Sequence, residues 1–355
     1  MRMSARQPAV LGCVLLVSCA QAPTEMSYFP DDSSSSETVM WPAVPEVPRY
    51  RYAGQLTGER NFGPAERSEP GMGEQLFRWV VGLADGSRNQ PRMLVRPQTG
   101  MVDDAGRVYV SDAGRQAVFV FDAVEGRLLI WQQADGSEPF ADPVGIAAGQ
   151  AGEILVADAT LGRIVRLGPD GRPLGSFGAE VLLRPTGLAR DPVTGLIYVA
   201  DTRDHDVKIF TSNGEYLRRI GRRGTARGEF NAPTHLAVAG SRLYITDTLN
   251  SRIQVLTLDG EPVGEIGKRG LYIGNLARPK GVTVDGEGHV YVVESYYDHL
   301  LVFDRLGQFL LPIGGTGAEV GQFFLPAGVW SDAKGRIYVA DMYNGRVMVI
   351  QYLGS

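Results

Sequence analysis

The chain has 355 residues, 44% hydrophobic and 21% charged, with 45 Gly and 21 Pro. This is the composition of a folded protein with many turns, and it excludes a disordered or fibrous chain. A formal net charge of −5 excludes the overall basic field that gathers nucleic acid, so no nucleic-acid partner is expected.

Arg2 and Arg6 precede an apolar run, Ala9–Val17, too short to span a bilayer as a mature helix but suited to an export signal. The run ends in Leu16-Val17-Ser18-Cys19, which resembles a bacterial lipoprotein signal (lipobox). The resemblance implies that residues 1–18 are removed and that Cys19 is lipidated. The protein is then expected to be exported and held in the cell envelope through its N-terminal lipid. Ala20 after the cysteine favours the outer membrane. Cys13 leaves with the signal, so the mature chain has no cysteine for a disulfide, a thiolate metal site, a nucleophile or covalent haem. Residues 19–47 are low in complexity, with an Asp/Ser run at 31–36 and Pro42 and Pro45, and are expected to form a tether.

Tyr50–Leu56 (YRYAGQL) has the look of a strand. An insertion, residues 63–96, follows it. Its stretch Glu74–Leu83 reads as a short helix or strand covering apolar surface of the main body. From Pro97 onward one phrase recurs. Its centre is a strand b ending in a carboxylate: Val108–Asp112, Ile154–Asp158, Ile197–Asp201, Leu243–Asp247, Val290–Glu294 and Ile337–Asp341. A proline stands ahead of each, at Pro97, Pro143, Pro185, Pro233, Pro279 and Pro326. Alternating or β-branched apolar blocks bounded by Gly, Asp and Asn are strand-and-turn chemistry. Four short strands and their turns fill each repeat, which is the size of a propeller blade.

The expected fold is therefore all-β, a six-bladed β-propeller with four-stranded antiparallel blades over residues 48–355. The last repeat stops after strand c. The N-terminal strand Tyr50–Leu56 is expected to supply its strand d and close the ring, leaving no open edge. The recurring pattern, Pro-x-Gly ahead of φ-Tyr-Val-x-Asp and Arg-φ-x-φ-Phe, resembles the NHL repeat family. Glu294 in the Asp slot, His235 in a Gly slot and Leu155 for Tyr depart from it. The resemblance implies the fold and a habit of binding partners on one face, but no single chemistry.

The carboxylates Asp112, Asp158, Asp201, Asp247 and Asp341 are expected to accept backbone N–H groups of the following turn, a structural role. Some six-bladed propellers, the peptidyl-α-hydroxyglycine α-amidating lyases, hold zinc with histidines from different blades near the axis. Here only His235 replaces glycine around the inner ring. A catalytic zinc normally takes about three protein ligands, so no metal and no cofactor is expected. His235 is expected to be a hydrogen-bonded filler beside the axis. Lys280 and Glu294 are expected on one face of the fifth blade, as a solvated pair or a polar patch. Arg222, Arg223 and Arg227 fall in one d-to-a loop, and Lys268 and Arg269 in the next. Together with His235, Lys280 and Glu294 they form the candidate binding face for an anionic partner.

No catalytic residue is assigned, because no nucleophile elbow, His-Glu-x-x-His or phosphate loop is present. The expected role is a non-catalytic binding or scaffolding module for an envelope protein or anionic ligand. The alternatives are a propeller lyase or hydrolase with an axial site, and an accessory subunit of an envelope redox complex.

Overall fold

The computed structural model describes residues 24–29, 39–43, 45–64 and 91–354. The expected signal (residues 1–18), the expected lipidation site Cys19 and the Glu74–Leu83 stretch of the insertion lie outside these residues. No helix among the described residues is long and apolar enough to cross a membrane.

Among the described residues the blades are five sheets of four antiparallel strands, each in the sequence order a-b-c-d, and one sheet of five whose strands a, b and c come from the end of the chain and whose outer two come from its N-terminal part. The inner strands are Pro97–Val102, Pro143–Ala148, Pro185–Arg190, Pro233–Ala239, Pro279–Val284 and Val329–Ser331. Each contacts the next, and the sixth contacts the first, so they surround one axis. Close approach between these strands explains the glycine after Pro-x. A Cβ on Gly187 would stand 2.8 Å from Cα of His235, and one on Gly328 would stand 2.4 Å from the carbonyl of Gln98. Real carbon atoms do not come so near, so a side chain there would push two blades apart. Strands b and c are buried almost throughout, and the apolar clusters lie between adjacent blades. Leu56, Val110, Phe119, Trp330, Tyr338 and Val349, for example, form one cluster across the junction of the last and first blades.

Tyr50–Leu56 supplies the outer strand of the sixth blade. It pairs antiparallel with Val347–Tyr352, from Leu56 opposite Val347 to Tyr50 opposite Tyr352. Tyr50 and Leu56 are fully buried, and the Tyr50 hydroxyl lies 3.2 Å from that of Tyr291 in the fifth blade. Asn61 ties the strand's exit to its own backbone, accepting the amide of Thr57 and donating to the carbonyls of Gln55 and Ser27.

Two pieces of the segment expected to be a free tether are instead laid on the propeller. Met40–Trp41 adds a fifth strand outside Tyr50–Arg51, and Thr24–Met26 pairs with Phe62–Pro64. Tyr28 sits between them and the last blade, its hydroxyl accepting from Arg336 at 2.9 Å. Low complexity in the stretch as a whole concealed the few residues, Met26, Tyr28 and Trp41, with enough apolar surface to be worth docking.

Candidate functional site

The strand-end carboxylates stitch each blade's entrance together. Asp112 accepts the amides of Val95 and Arg96, just ahead of strand a, and of Arg115 in the turn after strand b. Asp158 does the same with Ala141, Asp142, Thr160 and Leu161. Glu294 accepts from Ala277, Arg278 and Tyr296. Asp201 accepts Leu183 and Arg184, Asp247 accepts Asn231, and Asp341 accepts Phe324. The following turn is thus only half of the role. The rest is to fix the incoming loop, through two backbone amides at Asp112, Asp158, Asp201 and Glu294 and one at Asp247 and Asp341, so that the residues flanking the proline are held at the axis. Burial pushes Glu294 and Asp341 above the usual carboxylate range, with these bonds opposing it.

Among the described residues one acidic group has metal-ligand spacing, Asp201, Asp204 and Asp206. Its centre is occupied by this chain's own cation. Lys208 donates to Asp201, Asp204 and Asp206 at 3.0, 2.6 and 2.9 Å. Burial would lower the Lys208 pKa, but the three carboxylates outweigh it and hold the ammonium above its ordinary value. Burial also pushes Asp206 up to about 6, with Lys208 offsetting it only in part. This is an internal ion cluster.

The axis carries two cavities that meet at His235. The mouth, about 440 Å³, is lined by Arg96, Gln98, Asp142, Arg184, Thr186, Thr234, His235 and Lys280. The inner chamber, about 550 Å³, is walled by strand-a residues including Met101, Ile146, Leu188, Leu236 and Trp330. Both volumes suit a small molecule. Three groups lining the inner chamber, both ring nitrogens of His235, Nε1 of Trp330 and Nε of Arg190, are buried without a hydrogen-bond partner among the described residues. His235 is therefore not the hydrogen-bonded filler expected of it. Burial, with repulsion from Lys280 added, pushes its pKa down to about 3 and keeps the imidazole neutral.

Lys280 is the unusual charge of the mouth. Burial lowers its pKa, and the nearby cations Arg278 and Arg184 lower it further. It does not pair with Glu294, whose oxygens are committed to backbone amides; the expected ion pair of the fifth blade does not form. Among the described residues the one ion pair of the mouth joins Arg184 to Asp142 at 3.3 Å. Hydroxyls complete the lining. Thr186 bonds Thr202 at 2.6 Å, and Thr202 donates to the carbonyl of Pro233 in the next blade. Thr234 and Thr248 repeat the arrangement toward Pro279.

Of the candidate binding face, the structure brings His235 and Lys280 together. Arg222, Arg223, Arg227, Lys268 and Arg269 are exposed on d-to-a loops and line neither cavity. Arg222 is paired with Glu229 at 2.9 Å. The residues that sequence reading passed over, Arg96, Gln98, Asp142, Arg184, Thr186 and Thr234, had a common signal: each stands immediately before or after a strand-a proline. Reading down those two columns of the repeat gives most of the mouth.

A family profile described as a 6-bladed beta-propeller matches residues 191–268. The protein brain tumor of Drosophila melanogaster is 28% identical over 138 residues, which are 38% of this chain and 13% of that protein. The chain thus spans about an eighth of its relative's length. Virginiamycin B lyase from Staphylococcus aureus superposes with a TM-score of 0.56 at 15% identity, over 73% of this chain and 96% of the lyase. An auxiliary nutrient binding protein from Bacteroides ovatus gives 0.56 at 16% identity, over 72% and 69%. Such likeness extends to the fold alone, and the fold hosts both enzymes and binding proteins. By its own blades and by these neighbours the chain is an all-β six-bladed propeller.

Proposed function

We propose that this is an exported, lipid-anchored propeller of NHL type that works as a binding module, taking an anionic group of a ligand or envelope partner at the axial mouth. The observation that carries this reading is the Lys280 ammonium, half-buried in a concave mouth beside Arg184 and Arg96 without a carboxylate of its own among the described residues. A cation held in that way is stabilised by an incoming anion and otherwise costs the fold. The mouth's hydroxyls and Gln98 would orient what binds. Among the described residues the mouth and the inner chamber lack a nucleophile hydrogen-bonded to a base, and His235 has no orienting partner, which supports binding rather than catalysis.

The test is a thermal-shift and calorimetric screen of small mono- and dicarboxylates and of peptides ending in Glu, against the full chain and Lys280→Met. The expected result is saturable binding to the parent protein, lost in Lys280→Met and weakened in Arg184→Gln. Binding of equal strength to the parent and Lys280→Met would refute the site. Turnover of a lactone or cyclic ester that depends on His235 would favour the enzyme reading instead.

A further inference from the structure

Three consecutive d-to-a loops share one design. They run Gly221–Phe230, Gly267–Leu276 and Gly314–Phe323, each with glycines at the first, fourth and eighth positions and a buried apolar residue at the end. The backbone bonds coincide as well. Phe230 donates to the carbonyl of Arg222, Leu276 to Lys268 and Phe323 to Gly315; Glu229 donates to Ala226, Asn275 to Tyr272 and Gln322 to Glu319. What differs is the tip. It is Thr225-Ala226-Arg227 in the first loop and Ala318-Glu319-Val320 in the third, but Leu271-Tyr272-Ile273 in the second. The loop therefore does not need an apolar tip in order to fold.

Those three residues are 81%, 82% and 60% exposed. Gly274, with φ +93°, lies against the ring of Phe309, where a Cβ would come within 2.9 Å; Phe309 is itself partly exposed and extends the apolar surface. Lys268 and Arg269 stand just before the tip and Arg278 just after it, all exposed, and none of the three side chains is in an ion pair among the described residues. Three adjoining bulky side chains in water are a liability unless something covers them. A tyrosine between aliphatic residues, bracketed by exposed cations on a loop held by its own backbone hydrogen bonds, is chemistry suited to the boundary between anionic headgroups and acyl chains.

We infer that the loop Lys268–Arg278 docks on an anionic bilayer surface, inserting Leu271, Tyr272 and Ile273 at the headgroup–acyl boundary while Lys268 and Arg269 meet the headgroups. The inference does not depend on the axial mouth or on the N-terminal lipid. A lipid at the N-terminus would hold the propeller near a membrane, and this loop would set which side faces it.

The test separates insertion from tethering by reading the tip itself. Tyr272→Trp in the full chain is compared with the parent in vesicles of phosphatidylglycerol and of phosphatidylcholine, with and without brominated acyl chains. The expected result is a blue-shifted, bromine-quenched indole in phosphatidylglycerol, weakened by salt and by Lys268→Glu with Arg269→Glu. Replacing the tip with that of the neighbouring loop (Leu271→Ala, Tyr272→Glu, Ile273→Val) should keep the fold and reduce vesicle binding by about tenfold or more. An indole whose emission in vesicles matches that in buffer would overturn the inference. So would shielding of the tip that requires a co-purifying protein or RNA, since the patch would then belong to that partner.

Discussion

Closure of the ring by Tyr50–Leu56 can be tested by two truncations. Removing residues 20–57 deletes the outer strand of the last blade and leaves Val347–Tyr352 with a bare edge. Six residue pairs are lost. With about one hydrogen bond per pair, at about 0.5–1.5 kcal/mol net each, this costs about 3–9 kcal/mol. Tyr50 and Leu56, buried to 1% and 0% exposure, add about 1.5–3 kcal/mol apiece. The sum, about 6–15 kcal/mol, equals the whole stability of an ordinary domain. Removing only residues 20–47 keeps this strand but loses Met26, Tyr28 and Trp41. It should lower the melting temperature by several degrees without abolishing folding. Near-UV circular dichroism on heating, with size-exclusion chromatography at 20 °C, distinguishes the two. The longer truncation should elute as aggregate or give no cooperative transition. If both truncations melt within a few degrees of each other, the strand does not close the ring and the reasoning fails.

Lys280→Met should raise stability by about 1 kcal/mol in urea at pH 7. Folding lowers the lysine's pKa, so the charged form is disfavoured throughout the range below its ordinary value; a loss of stability would mean that the ammonium has a partner. Because His235 is depressed to about 3, the folded state binds fewer protons than the unfolded one between about pH 6.5 and 3. Stability present above that window should be lost as pH falls through it, at up to about 1.4 kcal/mol per pH unit. His235→Gln should flatten that slope in urea melts at stepped pH, and an unchanged slope would clear His235 of the effect. Lys208→Met should cost about 3–5 kcal/mol at pH 7 by leaving buried carboxylates uncompensated. The cost should shrink near pH 5, where Asp206, raised to about 6, is largely protonated; equal costs at both pH values would argue against the shared cation.

The repeated features of this protein were legible in its sequence, because a feature that every blade needs is printed in every repeat. The strand-end carboxylates, the strand-a prolines and the glycines between inner strands each follow from backbone geometry, and geometry of that kind acts on neighbours in the chain. Tyr50–Leu56 could be placed for the same reason, being the one strand missing from the last repeat. The site was harder to read because it is made of what differs between repeats. Arg96, Asp142, Arg184, Thr234 and Lys280 are far apart in sequence, and they face one another only because ring closure sets the inner strands around a single axis. Lys280 and Glu294 looked like an ion pair, until the incoming loop claimed the carboxylate for its own amides. Whether Met26, Tyr28 and Trp41 were tether or cover was likewise undecidable from composition, since docking depends on whether apolar surface is exposed elsewhere to receive them. Local chemistry determined the blades, while burial and partners, which exist only once the ring is closed, decided which of the variable residues share a cavity.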